Sequence, residues 1–446
     1  MTSVRLRVAA LALFLFILTS CGETYRPVAT PVIPNPPNPA FSHSILVING
    51  NGANNPGSST TIDVSGDSAV SQSALGLMPV HAVLLPAQSV AYVADSLDDT
   101  VSEFFLTLAT PVKTITLPSS AACSPIPCMN PVFLATTESA SVYVASLGDG
   151  TENAALHVAK GGGGTVSVIS TANAVVTTTI PVGISPAGMA ETPNAQRLYV
   201  ANAGNGAGNG SVTSIDPIDL LVNPPIREAS GGDAVWLSPV AVTARSDSAR
   251  VYVLDAGEGT VTAVDTYGDV VVGRVSVGAG ANFMLYDPKS DRLYVSNPVS
   301  NRVEILDAST DALSALVAPA PVSHPLSLAV LPDGSRFYVS GISVSGGVAT
   351  SRLLVFNAAD GSLKKRIALT SVKQTCASTP FELYTAAAAD SSRVYVGNCD
   401  AGNTAIIQTS NDTLLLNLAA PVSAQPPPEN GGAPPPQNPV FVLAGP

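Results

Sequence analysis

Leu198-Tyr199-Val200-Ala201-Asn202 lies downstream of Pro186, and the pair of features recurs along the chain. A tyrosine inside an apolar run appears at Tyr92, Tyr143, Tyr199, Tyr252, Tyr294, Tyr338 and Tyr395, at spacings of 51, 56, 53, 42, 44 and 57 residues. An earlier apolar run opens with Pro79, Pro131, Pro186, Pro239, Pro325 and Pro380, and with Ala281 in the fifth repeat. After each tyrosine comes an alternating segment such as 165–170, 260–265 or 302–307, and then a fourth apolar run such as 175–182 or 270–277. Four short strands per unit, at this period, make one blade of a β-propeller. Each blade is apolar on both faces and buries them only against its neighbours, so the blades must close into a ring.

The ends of the chain set the blade count. Segments 44–48 and 59–64 read as the second and third strands of a blade that lacks its first. Asn438-Pro439-Val440-Phe441-Val442-Leu443 repeats the first-strand opening Asn130-Pro131-Val132-Phe133-Leu134. The expectation is an all-β, eight-bladed propeller over residues 41–446, with the C-terminal strand closing the N-terminal blade across a proline-rich loop, 425–439. The alternative is seven blades with an N-terminal accessory hairpin.

The Pro…Tyr-Val-Ala-Asn…Thr-Val-Ser-Val-Ile core resembles the YVTN propeller repeat of secreted surface proteins, which is related to the lactonase-type propellers. The resemblance covers about residues 44–420. It implies the fold, while function has to be argued from a site.

Arg5 and Arg7 precede an apolar run from Val8 to Leu18, too short to span a bilayer comfortably and suited to a secretion signal. Leu18-Thr19-Ser20-Cys21 resembles a bacterial lipobox, which implies cleavage after residue 20 and lipidation of Cys21. Gly22, where retained lipoproteins carry an aspartate, implies passage to the outer membrane; the leaflet stays open. Residues 21–40 are then a proline-rich tether of extended chain. Loss of residues 1–20 removes two arginines and no acid, leaving 18 basic against 32 acidic residues, a net charge of −14. Such a chain does not attract nucleic acid through its overall field. The partners to expect are the membrane, through the lipid, and an envelope protein, glycan or small molecule; the chain itself is expected to be a monomer.

Of five cysteines, four remain beside Cys21, an even number suited to an oxidising compartment. Cys123 and Cys128 bracket a short loop. Cys376 and Cys399 flank the first hairpin of the last blade, whose two ends lie together, so the expected disulfides are Cys123–Cys128 and Cys376–Cys399. His43, His81, His157 and His324 have no metal-ligand spacing, and neither a zinc nor a haem motif is present. No metal, cofactor or catalytic set is therefore assigned.

Asp95, Asn202, Asp255, Asn297 and Asn398 stand three residues after their tyrosines, with Ser146 and Gly341 in the other two repeats. They can cap the turn that leaves the strand, or form a polar ring around a central mouth. Insertions 146–164, 203–210 and 341–351, and connections 119–130, 223–238 and 370–379, all project from this same end. The opposite end keeps short turns. With Trp236, His81 and His324, the long-loop end forms the candidate binding face. A binding or scaffold role follows, with a lactonase-like hydrolase in the periplasm or at the cell surface as the alternative.

Overall fold

The structure is a computed structural model that describes residues 44–51, 55–85, 89–106, 112–118, 130–136, 140–148, 163–206, 208–310, 315–319, 323–345, 348–372, 383–419 and 438–445. The signal segment, Cys21, the tether, Cys123, Cys128, Cys376, His43 and His157 lie outside these residues.

Alternating apolar segments become strands wherever the sequence pattern placed them. The first three are β1 (Ser44–Asn49), β2 (Pro56–Asp63) and β3 (Ser68–Leu77). Blade 2 follows as β4 (Pro79–Leu84), β5 (Val90–Asp95), β6 (Thr100–Phe105) and β7 (Lys113–Thr116). Blade 3 is β8 (Pro131–Ala135), β9 (Ser141–Ser146), β10 (Thr165–Ser170) and β11 (Val175–Pro181). Blade 4 is β12 (Pro186–Glu191), β13 (Leu198–Asn202), β14 (Ser211–Asp216) and β15 (Leu221–Val222). A two-residue strand, β16 (Arg227–Glu228), precedes blade 5, which is β17 (Pro239–Ala244), β18 (Arg250–Asp255), β19 (Thr260–Asp265) and β20 (Val270–Ser276). Blade 6 is β21 (Phe283–Asp287), β22 (Arg292–Asn297), β23 (Arg302–Asp307) and β24 (Ala315–Pro319). Blade 7 is β25 (Ser323–Val330), β26 (Arg336–Ser345), β27 (Val348–Asn357) and β28 (Leu363–Val372). Blade 8 is β29 (Leu383–Ala387), β30 (Arg393–Asn398), β31 (Asn403–Gln408) and β32 (Thr413–Ala419), and the chain ends in β33 (Pro439–Ala444).

β33 pairs antiparallel with β1, Leu46 opposite Leu443 and Val47 opposite Val442, and so completes the sheet β3-β2-β1-β33. This composite is blade 1, and the propeller has eight four-stranded antiparallel blades. The accessory-hairpin alternative is excluded, because β1 and β2 are the middle strands of a complete blade.

Apolar packing is concentrated in eight seams, each shared by two neighbouring blades. Tyr92 packs between blades 2 and 3, Tyr199 between 4 and 5, Tyr338 between 7 and 8, and Tyr395 between 8 and 1. All four are 0% exposed. Leu46 takes the corresponding place in blade 1, which is why the tyrosine pattern starts only at the second blade. The phenol tip then has to be satisfied. Tyr199 donates to Asp269 and Tyr338 to Asp412, each at 2.5 Å, and each acceptor stands in the third-to-fourth-strand turn of the next blade. The repeated tyrosine therefore fills a seam and, where an aspartate faces it, also pins the neighbouring blade.

Strand extends into two of the expected loops. Residues 341–345 and 348–351 continue the β26–β27 ladder, with Gly341 opposite Arg352 and Ser345 opposite Val348, and residues 370–372 extend β28, while 373–379 lie outside the described residues. Gly341 offers no side chain to turn the chain there, and the β-branched and small residues that follow it sustain the pairing. The 223–238 insertion is likewise no free loop, since β16 adds parallel to the outer edge of β20.

Candidate functional site

The loop end of the ring is built from one position of each second strand, three residues after the seam tyrosine or Leu46, and it ends the strand in every blade but the seventh. In order from blade 1 these are Asn49, Asp95, Ser146, Asn202, Asp255, Asn297, Gly341 and Asn398. The Asx members are only 0–1% exposed, so they line no open mouth. Their side chains are spent on the chain that turns over them. The Asp255 carboxylate accepts from the amides of Leu237, Ser238, Gly257 and Glu258. Asn297 donates to the carbonyls of Val277, Gly278 and Ala279 and accepts from Val299 and Ser300. Asn49 and Asn202 use their amides on third-strand hydroxyls, Ser58 and Thr60 in one blade, Ser211 and Thr213 in the other. Asn398 donates to Ser351, in the extended hairpin of blade 7, at 2.7 Å. Asn49 was not singled out in the sequence because no tyrosine precedes it.

Asp95 occupies the Asn49 position of the neighbouring blade but brings a carboxyl. Its Oδ2 accepts from Ser102 at 2.6 Å and Thr100 at 3.4 Å, while Oδ1 is buried without a hydrogen bond. Burial pushes its pKa up to about 7; Asp98 nearby adds to the rise, and the Ser102 and Thr100 hydroxyls and the Gly76 backbone hold it back only in part. A groove of about 770 Å³ runs beside it between β3 and the β5–β7 edge, lined by Gln72, Ser73, Gly76, Asp98, Thr100, Ser102 and Thr114 among others. A Cβ on Gly76 would meet Asp98 Oδ2 at 2.6 Å and the Asp95 carboxyl carbon at 2.8 Å, so only glycine allows this approach.

One residue pair deeper lies a layer that sequence reasoning missed. The inner-strand residues opposite the position before each Asx are Phe441, His81, Phe133, Gly188, Ala241, Phe283, Ser327 and Tyr384, from blade 1 to blade 8. Four of them meet in series across consecutive blades, stacked at His81–Phe133 and tilted at the other two contacts. Ring centroids are 4.3 Å apart for Tyr384–Phe441, 4.5 Å for Phe441–His81 and 3.9 Å for His81–Phe133. Phe283 meets Tyr384 edge-on at 6.1 Å, across the small Ser327. A signal was present: most of these residues stand two positions after the proline that opens the strand, as in Pro79 with His81, Pro131 with Phe133 and Pro439 with Phe441.

His81 is thus within the ring wall and not a solvent-facing rim residue. Leu134 N–H donates to its Nδ1 at 3.2 Å, so the imidazole proton sits on Nε2. Burial drives its pKa down to about 3. The Tyr384 phenol is shifted upward, also by burial. Both rings keep part of their surface accessible.

The remaining sequence candidates are scattered. Trp236 is 4% exposed, bridges to Gly210 and has the Arg274 guanidinium 6.0 Å from its ring, so it anchors the β16 insertion. His324 is exposed at the loop end, its backbone N–H donating to Asn301. Cys399 is buried in the turn after β30. Among the described residues no cluster of three metal-ligating side chains occurs.

No known family profile matches the chain, and no curated protein matches it significantly. Solved structures share its fold. A candidate 6-phosphogluconolactonase from Bacteroides uniformis aligns with a TM-score of 0.51 and 14% identity, over 74% of this chain and 97% of that one. One from Bacteroides fragilis aligns at 0.50 and 15%, over 75% and 97%. The Kuenenia stuttgartiensis hydrazine synthase aligns at 0.49 and 16%, over 68% and 89%.

Proposed function

We propose that this chain is a lipid-anchored binding module of the cell envelope that recognises its partner through the loop end of the propeller. The observation that carries the reading is how charge is divided between the two ends. Among the described residues every ion pair except Arg274–Glu228 stands at the short-turn end, where Arg197–Asp269, Arg336–Asp412 and Arg393–Asp67 join neighbouring blades. Arg245 and Arg292 are committed there to carbonyls of the next blade. That end serves to clamp the ring. The loop end carries the longest insertions and the aromatic layer, and a rigid ring with loops on one end is a common arrangement for recognition.

The membrane contact would come from lipid on Cys21, and the Cys123–Cys128 and Cys376–Cys399 disulfides would brace the loops of the same end. A lactone hydrolase is the second reading, favoured by the two Bacteroides neighbours, which share the fold. Two measurements separate them. Capture from envelope extracts should succeed with the native chain and with Tyr267→Ala, a 97% exposed tyrosine at the short-turn end. Capture should fall when residues 146–164 are replaced by a short turn. Hydrolysis of simple lactones, with or without divalent metal, by a chain whose capture is unaffected by that loop would overturn the binding reading. Anchoring has its own check: Cys21→Ala should move the protein from the membrane to the soluble fraction.

A further inference from the structure

We propose that the outer corner of blades 4 and 5 at the short-turn end is a second membrane contact, an apolar surface that seats on net-neutral lipid headgroups and turns the loop end away from the bilayer. The contact goes beyond the recognition reading above, and the orientation it gives rests on the Cys21 anchor of that reading. The turns from third to fourth strand carry it. In blades 1, 4, 5 and 6 the same Asx turn is made: Asp63, Asp216, Asp265 and Asp307 accept from the backbone N–H two residues on, which places Ser65, Ile218, Tyr267 and Ser309 at the tip. Serine fills the tip in two of these blades, so the turn has no need of an apolar residue. Ile218 and Tyr267 are nonetheless apolar and 53% and 97% exposed, and Leu221 and Val222, next along blade 4, are 64% and 47% exposed. The two turns adjoin, since the Arg197 guanidinium lies 3.8 Å from Asp216 and 4.0 Å from Asp269. Large apolar side chains on adjoining turns that accept serine mark a surface for contact.

Two observations select a lipid surface as the occupant. The first is where the tether joins the ring. β1 begins at Ser44, opposite Asp63 of the β2–β3 turn, so the chain running back to Cys21 leaves from the same short-turn end that carries Ile218 and Tyr267. A lipid on Cys21 brings that end towards the bilayer. Residues 22–43 reach about 70 Å when extended, enough for the corner to touch the surface and too long for the tether alone to fix an orientation. The second observation is charge. Without residues 1–20 the chain carries 18 basic against 32 acidic residues, and Asp216, Asp219 and Asp265 stand on the two turns themselves. An anionic surface is therefore repelled, whereas neutral headgroups leave the apolar contact undisturbed. Tyr267 suits a headgroup layer, with an apolar ring and a polar hydroxyl.

The unlipidated chain, Cys21→Ala, tests the contact by co-sedimentation with vesicles at high lipid concentration. The corner alone binds weakly, so this chain still leaves the membrane fraction when cells are fractionated in dilute buffer. It should bind phosphatidylcholine vesicles and lose binding as phosphatidylglycerol replaces the neutral lipid. Tyr267→Asp in that background should weaken binding by about tenfold or more, the effect of returning one apolar side chain to water. Its unfolding midpoint should be unchanged, because the ring is almost wholly exposed. In the lipidated chain reconstituted into phosphatidylcholine vesicles, Tyr267→Cys should react with a water-soluble maleimide more slowly than in the unlipidated chain free of vesicles. Val299→Cys, at the exposed loop end, should react equally fast in both. No binding to neutral vesicles, equal binding to anionic ones, or binding unchanged in Tyr267→Asp would each overturn the proposal. So would a dimer of the native chain that Tyr267→Asp dissociates, since a second copy would then be the occupant. Vesicle binding as expected, with Cys21→Ala without effect on cell fractionation, keeps the corner and removes the anchor; the reverse pair of results removes the corner and keeps the anchor.

Discussion

At Asp95 a carboxyl stands where the neighbouring Asn49 uses an amide on the same kind of hydroxyl pair. Because the site is closed to water, neutrality is what it selects. The pH consequence follows from the raised pKa. Below about pH 4 both folded and unfolded chains hold the proton; between the ordinary value of 3.8 and about 7 only the folded chain does. Stability therefore falls as pH rises through that window, by on the order of 4 kcal/mol in total. Asp95→Asn removes the proton linkage while fitting a position that Asn49 and Asn202 already fill. It should match the native chain in urea unfolding at pH 4 and exceed it at pH 8; equal stability at both pH values would refute the account. A second residue-scale contrast concerns the seam tyrosines. The Tyr338 hydroxyl is bonded to Asp412, whereas that of Tyr395 is buried with no partner among the described residues. Tyr338→Phe should cost about 1–2 kcal/mol, and Tyr395→Phe should cost nothing or stabilise by up to about 1 kcal/mol. Unfolding midpoints that move equally in the two variants would remove the distinction.

Among the elements, β33 has the largest responsibility, because it alone joins the two ends of the chain within one sheet. It supplies Phe441 to the seam between blades 1 and 2 and Val442 to the seam between blades 8 and 1. The Arg393–Asp67 pair reinforces the same junction from the short-turn end, with Arg393 donating through Nε and Nη2. Deleting residues 438–446 should expose the edge of β1, open two seams and lower stability by more than about 5 kcal/mol, with new binding of a hydrophobic dye. A truncated chain that unfolds at the native midpoint would contradict closure. This element was legible because Asn438-Pro439-Val440-Phe441 copies Asn130-Pro131-Val132-Phe133. The alternating third strands were equally legible, since a period of two survives any tertiary context. Elements that depend on a missing signal were not. Nothing in Gly341 to Ser351 announces that a hairpin continues past the position where the other blades turn. Local sequence also says nothing of β16, whose partner is 43 residues away in the register Arg227–Val270. The aromatic layer failed for another reason: its members come from separate blades, and only ring closure brings Phe441 beside His81.

Over the whole molecule, the proposed recognition by the loop end and the ion-pair clamps at the short-turn end lie apart, so stability and capture should be separable. A clamp between blades acts on the folded ring as a unit, since each seam is shared and opening one exposes two blade faces. A loop that leaves the end of a paired strand contributes little to the seams below it, because the ladder beneath is closed without the loop. Arg393→Ala leaves Asp67, at 12% side-chain exposure, without its partner at the closing junction. It should lower unfolding stability by about 2–4 kcal/mol, as expected for removing one side of a largely enclosed pair, and leave capture from envelope extracts as in the native chain. Replacing residues 146–164 by a short turn should do the reverse, abolishing capture with an unfolding midpoint close to native, because β9 and β10 remain paired from Ala145 opposite Val166 to Ser141 opposite Ser170. Chemical unfolding and capture measured on the same two variants decide the matter. Should Arg393→Ala lose capture while still folded, or the loop replacement lower stability as much as the clamp does, the two ends are coupled and the division of labour fails.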